Sequence, residues 1–106
     1  MRAIPIEEIT MDGSGWLTVR PAVPAAEDFE FIYRTATGIR WWPGLRALGL
    51  LPEEKSVPPE AFRRILDAVR REYGYELCLT CDTQSVNVPD ELRVTLEGIA
   101  RKHDPN

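Results

Sequence analysis

The stretch from Pro58 to Tyr73 constrains the fold more than any other part of the chain. Phe62, Ile65, Leu66, Val69 and Tyr73 recur at spacings of three and four, which draws one apolar stripe along an amphipathic helix. Ser56 offers a hydroxyl for the N-cap, Pro58 and Pro59 suit the first helical positions, Glu60 places an acid in the first turn, and Gly74 supplies the stop. A helix with one apolar stripe needs a partner surface to cover it. The remaining residues must provide that surface.

Upstream of residue 56 the chain alternates, and glycine and proline cut it into short runs. Residues 3–10 read as a first strand, Asp12-Gly13-Ser14-Gly15 as a turn, and residues 16–20 as a second strand, together a hairpin. Pro21 and Pro24 end that strand, and a loop is expected to run to Asp28. Residues 29–34 then alternate with Phe29, Phe31 and Tyr33 on one face, which predicts a third strand. Residues 39–42 resume the alternation. A three-residue loop at 36–38, with Gly38 left-handed, would set residue 33 opposite 41 and residue 34 opposite 40. That register sorts Phe29, Phe31, Tyr33, Ile39 and Trp41 onto one face, and Glu30, Ile32, Arg34, Arg40 and Trp42 onto the other. A two-residue loop would instead bring Arg40 among the aromatic rings. Residues 45–51 are either a short strand or a helical turn.

Downstream, Tyr75 to Cys81 alternates as a strand and residues 84–88 read as a loop. Pro89, Asp90 and Glu91 open a second helix running to Lys102, with Leu92, Leu96 and Ile99 as its stripe. Gly98 costs such a helix about 1 kcal/mol relative to alanine, so it either permits close packing or marks an early end. The expected fold is α+β in the order β-β-β-β-α-β-α, an antiparallel sheet of four to five strands with both helices on one face. With 106 residues, 43% of them hydrophobic, the chain is expected to form a single domain spanning 1–106. A chain of that size can bury about two-thirds of its extended surface, so neither a disulfide nor a metal is required.

The charge balance removes some functions. Seventeen acidic residues against 13 basic ones give a net charge of −4, which argues against broad contact with a nucleic-acid backbone. No apolar run reaches the roughly 18 to 20 residues of a membrane span, and Pro5, Glu7 and Glu8 interrupt any signal-peptide core. A soluble, cytoplasmic protein is expected. Within this acidic chain, residues 33–51 hold Arg34, Arg40 and Arg46 and no acid. In the register above, Arg34 and Arg40 face each other with Trp42 beside them. A guanidinium pair next to an indole suits a carboxylate, a phosphate or an acidic side chain of a partner. The plainer reading is that Glu30, or an acid from a helix, neutralises the pair. Trp16, Trp41 and Trp42 are most simply core material with polar handles; Trp41 is assigned to the core, and Trp42, on the opposite face, is the more exposed indole unless the sheet is covered on both sides. On the first helix, Glu60 with Arg64 and Asp67 with Arg71 form i, i+4 pairs on a solvated face.

Motifs for catalysis are sparse. Cys78-Leu79-Thr80-Cys81 matches the spacing of a redox dithiol or half a zinc site, but three residues along a strand put the sulfurs on opposite faces. No helix start follows to lower a thiol pKa, so the cysteines read as structural. His103, the one histidine, is fourth from the last residue, beside Asp104 and Pro105. The acidic pairs at 7–8, 28 and 30, 53–54 and 90–91 have no companion groups, and Ser14, Ser56 and Ser85 have no activating base. Gly13, Gly15 and Gly38 make no phosphate-binding loop. No cofactor is implied. The expected function is a non-enzymatic interaction protein that binds a small anionic or aromatic ligand, or a protein partner including a second copy of itself. The face carrying Arg34, Arg40 and Trp42 would do the binding. The alternative is a small enzyme with a carboxylate or cysteine pocket. A third class, an acidic protein that mimics a charged substrate, would need a contiguous acidic surface.

Overall fold

Ile4, Ile6 and Ile9 cannot all share one face of a regular strand, because side chains alternate with a period of two. The first strand, β1 (Arg2–Met11), resolves this with a bulge. Ile6 pairs with Pro21 and Glu8 with Arg20, so Glu7 is an extra residue and the three isoleucines all face the core, each nearly inaccessible to solvent. The computed structural model describes residues 2–22, 29–34, 36 and 38–103, apart from the side chains of Arg2, Arg101, Lys102 and His103. The loop expected to reach Asp28, part of the loop expected at 36–38, and the His103 imidazole lie outside the described residues.

After β1 come β2 (Leu17–Pro21), a 3-10 turn (Ile32–Arg34), β3 (Ile39–Trp42), β4 (Ala47–Leu50), α1 (Pro58–Tyr73), β5 (Tyr75–Cys78), β6 (Gln84–Val86) and α2 (Asp90–His103). The strand order is β3-β4-β2-β1-β5, with β6 also on β1, and the sheet curls into a half-barrel. β1 and β2 form the expected antiparallel hairpin. α1 has the expected bounds, with prolines at its first positions and Gly74 at φ 71 donating its N–H to the Arg70 carbonyl at 2.9 Å.

The sheet is mixed, not antiparallel. β5 and β6 both run parallel to β1, along the edge that β2 leaves open. The cause is the crossover: a helix between two strands returns the chain to the end it started from, so β4 and β5 must run the same way. Residues 79–83 stand opposite only Ile6 and Glu7 of β1, so β5 and β6 act as one strand with its middle looped out. The expected strand 75–81 therefore stops at Cys78, and the expected loop 84–88 contains a strand.

The segment 29–34 is a correction too. Phe29 and Ile32 are the buried residues and Phe31 and Tyr33 are exposed, a spacing of three that belongs to a 3-10 turn and not to a strand. The edge of β3 is taken by β4 through the turn at 43–46, with Arg40 opposite Gly49 and Trp42 opposite Ala47. The expected pairing of 33 with 41 and 34 with 40 is absent. Gly38 is not left-handed. It leaves room for the Glu54 carboxylate and the Arg64 guanidinium, which a Cβ would meet. Arg64 turns to Glu54 at 3.8 Å and to the Ser56 hydroxyl at 3.0 Å instead of pairing along the helix, so Ser56 does not cap α1.

α1 covers the core face of the sheet with Phe62, Ile65, Leu66 and Val69, and α2 adds Leu96, Ile99 and Ala100. Glu76 of β5, almost fully buried, is held by both forks of Arg70 at 2.8 and 2.7 Å. Gly98 neither ends α2 nor permits close packing, since a Cβ there meets nothing within 4 Å. Gly98→Ala should therefore stabilise the protein by about 1 kcal/mol. A chemical denaturation midpoint that stays put or falls would refute the assignment of Gly98 as a plain helix-interior glycine.

Candidate functional site

The pairing registers place Glu8 and Thr10 of β1, Thr18 and Arg20 of β2, Ala47 and Gly49 of β4, and Arg40 and Trp42 of β3 on the sheet face turned away from the helices. Two indoles close over part of that face. Trp16, just ahead of β2, donates its Nε1–H to the Leu50 carbonyl at 2.7 Å, and Trp42 donates its own to the Gly49 carbonyl at 3.3 Å. The rings meet edge to face, with centroids 5.2 Å apart and planes at 85°. Gly49 makes this possible, because a Cβ there would stand 3.1 Å from both the Thr18 methyl and the Trp16 ring and 3.3 Å from the Trp42 nitrogen. Both indole N–H groups are spent on backbone carbonyls, so the pair offers a ligand only its π faces and edges.

Beside the pair opens a cleft of about 820 Å³, bounded by the Asp12–Gly15 turn and the segment leading into α1. Leu17, Leu50, Val57 and Pro58 give it an apolar wall, and Asp12, Ser14, Glu54, Lys55 and Ser56 a polar one. A second hollow of about 360 Å³ adjoins it and shares Asp12 and Trp16, with Glu8, Thr10, Thr18 and Arg20 on its sheet side. There Arg20 reaches Glu8 at 3.0 Å and Glu7 at 3.8 Å, while the Thr10 hydroxyl donates to Glu8 at 2.8 Å.

Asp12 sets the shape of the turn. Its Oδ1 accepts from the Ser14 hydroxyl at 2.7 Å, the Ser14 N–H at 2.9 Å and the Trp16 N–H at 2.9 Å, and Gly15 supplies the positive φ of 89 that closes the loop. The Ser14 hydroxyl first, and the Trp16 amide next, hold the Asp12 carboxyl below the usual aspartate range.

Of the residues singled out by sequence, Trp42 lines the cleft and Arg40 shares its face of β3. Arg34 does not stand opposite Arg40. Its guanidinium lies 4.2 Å over Phe31, that of Arg40 lies 5.5 Å over Tyr33, and the two rings are 6.4 Å apart. The arginines thus meet through two exposed rings. Arg40 also donates to the Ile39 carbonyl at 3.0 Å. Trp41, expected in the core, is half-buried and stacks on Phe29 at 5.5 Å. Sequence reasoning missed Trp16 and Asp12. The signal for them was the Asp-Gly-Ser-Gly turn running directly into an indole, read as a connection only. Cys78 ends β5 with its thiol 3.7 Å from the Ile4 carbonyl, and Cys81 is exposed in the following turn. Among the described residues no group of three or more His, Cys, Asp or Glu is placed to hold a metal ion, and no helix is long and apolar enough to cross a membrane.

No protein-family model and no curated protein matches this chain. It is similar to a solved integron cassette protein from the mobile metagenome of the North West Arm sewage outfall, at 31% sequence identity. The match covers 95% of this chain and 98% of that one, with a TM-score of 0.43.

Two outcomes follow from this geometry. Gly49→Val should cost about 1 to 3 kcal/mol by overpacking and weaken the near-ultraviolet circular dichroism of the indole pair; unchanged dichroism would mean the rings do not depend on Gly49. Because the folded-state pKa of Asp12 is lowered, its contribution to stability is present above the unfolded aspartate value and is lost as pH falls through the folded one. Wild type should therefore exceed Asp12→Asn in stability near neutral pH, with the gap closing below about pH 4. Denaturation curves showing the same gap at pH 7 and pH 2.5 would contradict this.

Proposed function

We propose that the chain is a non-enzymatic binding protein whose ligand carries a small aromatic group seated against Trp16 and Trp42. The observation that carries this reading is the cleft itself. Its volume lies within the range of small-molecule sites, its wall is mostly apolar, and its polar groups gather at one side where they can orient a ligand. The indole pair is held in place before any ligand arrives, since each ring is pinned by a hydrogen bond to β4 and by the other ring. Pre-organisation of that kind lowers the ordering cost of binding.

The enzyme alternative draws less support from the same cleft. A general acid needs a carboxyl raised toward neutrality, whereas Asp12 is shifted the other way and its Oδ1 is already engaged by the turn. Cys78 and Cys81 lie on separate elements, strand and turn, away from the cleft lining.

The three tryptophans make the test internal. In a nitrogen-15 NMR screen of uncharged and charged aromatic fragments, the indole N–H signals of Trp16 and Trp42 should move while that of Trp41, stacked on Phe29, stays. Trp42→Ala should weaken the best fragment by about tenfold or more, the equivalent of about 1.4 kcal/mol. A screen in which fragments shift Trp41 or distant amides and leave the pair still would overturn the proposal.

A further inference from the structure

The two hollows meet at Asp12 and Trp16, and their charges are unevenly matched. In the smaller hollow, Arg20 is already faced by two carboxylates, Glu8 at 3.0 Å and Glu7 at 3.8 Å. In the larger cleft, Glu54 shares Arg64 at 3.8 Å, and Lys55 lines this cleft but not the smaller hollow. Asp12 stands at the junction. Its donors are neutral, with Ser14 and Trp16 reaching Oδ1, and among the described residues it has no cationic partner. A carboxylate that the turn engages through one oxygen, in a hollow that Trp16 also lines, suits an ammonium group. Glu8 adds to it. Its two oxygens take Thr10 and Arg20 once each, leaving acceptor capacity on both.

Resting on the aromatic-ligand reading above, we propose that the ligand is an aromatic amine. Its ring lies against Trp16 and Trp42 in the larger cleft, and its ammonium, on a short alkyl arm, passes Trp16 to sit between Asp12 and Glu8. Thr10 and Thr18, which line the same hollow, would supply further oxygens to the ammonium's three donors. Arg20 is held by its acids, and Arg34 and Arg40 lie over Phe31 and Tyr33.

Three probes of one shape and different charge test this: tryptamine, indole-3-acetamide and indole-3-acetate, titrated by calorimetry and by NMR on the protein's own indole signals. Tryptamine should bind about tenfold or more tighter than the amide, as expected for a charge-assisted hydrogen bond, and the advantage should shrink with added salt. Asp12→Asn, which keeps an oxygen for Ser14 and Trp16, should bring tryptamine and the amide to within about twofold of each other. Glu8→Gln, away from the turn, provides a second variant and should weaken tryptamine by about threefold with the amide unchanged. Equal binding of tryptamine and the amide, or tightest binding of the acetate through Lys55, would overturn the amine assignment and leave the aromatic cleft standing. No response at Trp16 and Trp42 to any of the three, or to the wider fragment screen, would overturn both.

Discussion

The structure depends on one skipped residue. β1 is the strand on which the sheet is assembled, paired with β2 on one edge and with β5 and β6 on the other. It can bury Ile4, Ile6 and Ile9 together only because Glu7 bulges out. Without that extra residue either the first two isoleucines or the third would point to the opposite face, and α1 would lose part of the surface that its stripe covers. The same bulge decides what the other face carries. Past Glu7, β1 turns Glu8 and Thr10 away from the helices, so the acids and hydroxyls of the smaller hollow follow from the requirement to bury the isoleucines.

A sheet covered by helices on one side must do something with the other. Here β4 presents Ala47 and Gly49 to that side, residues too small to shield the backbone beneath them. Trp16 and Trp42 fold over the gap, and the absence of a side chain at Gly49 lets both indoles reach carbonyls of β4. The roof is finite. Where it ends, against the turn at Asp12 and the prolines before α1, the apolar wall stays partly open to solvent and the cleft results. The cleft is thus a by-product of covering a sheet face with two large rings instead of a layer of helices.

Local signals proved the most legible. α1 could be bounded to the residue because its stripe, prolines and terminal glycine all act within a few positions of one another. The β1–β2 hairpin was legible for the same reason, with a turn that closes on itself through Asp12 and Gly15. What failed was non-local. Phe29, Phe31 and Tyr33 alternate, yet burial at Phe29 and Ile32 has a period of three, and only the competition of β4 for the edge of β3 decides between them. Strand direction in β5 depends on the crossover through α1, and β6 exists because a three-residue run finds the vacant part of β1. At the site, Trp42 could be picked out from its face of the strand. Its pairing with Trp16 could not, because the two rings lie 26 positions apart and meet only once β2 and β4 are paired.

The cluster of positive charge between residues 33 and 51 shows why charge along a sequence is a poor guide to charge in a site. Three arginines without a local acid look like an anion receptor. In the fold Arg34 and Arg40 lie over two neighbouring exposed rings, and Arg46 holds the left-handed corner of the β3–β4 turn at φ 53. A guanidinium lying flat on Phe31 or Tyr33 shields apolar surface that would otherwise meet water, and it gains a cation–π contact while remaining solvated at its edge. These arginines partly cover Phe31 and Tyr33. The charged groups that line the cleft lie elsewhere, at Asp12, Glu54 and Lys55. A turn that needed only a neutral acceptor would have been served by asparagine. The carboxylate at position 12 brings a full negative charge to the lining that it shares with Trp16.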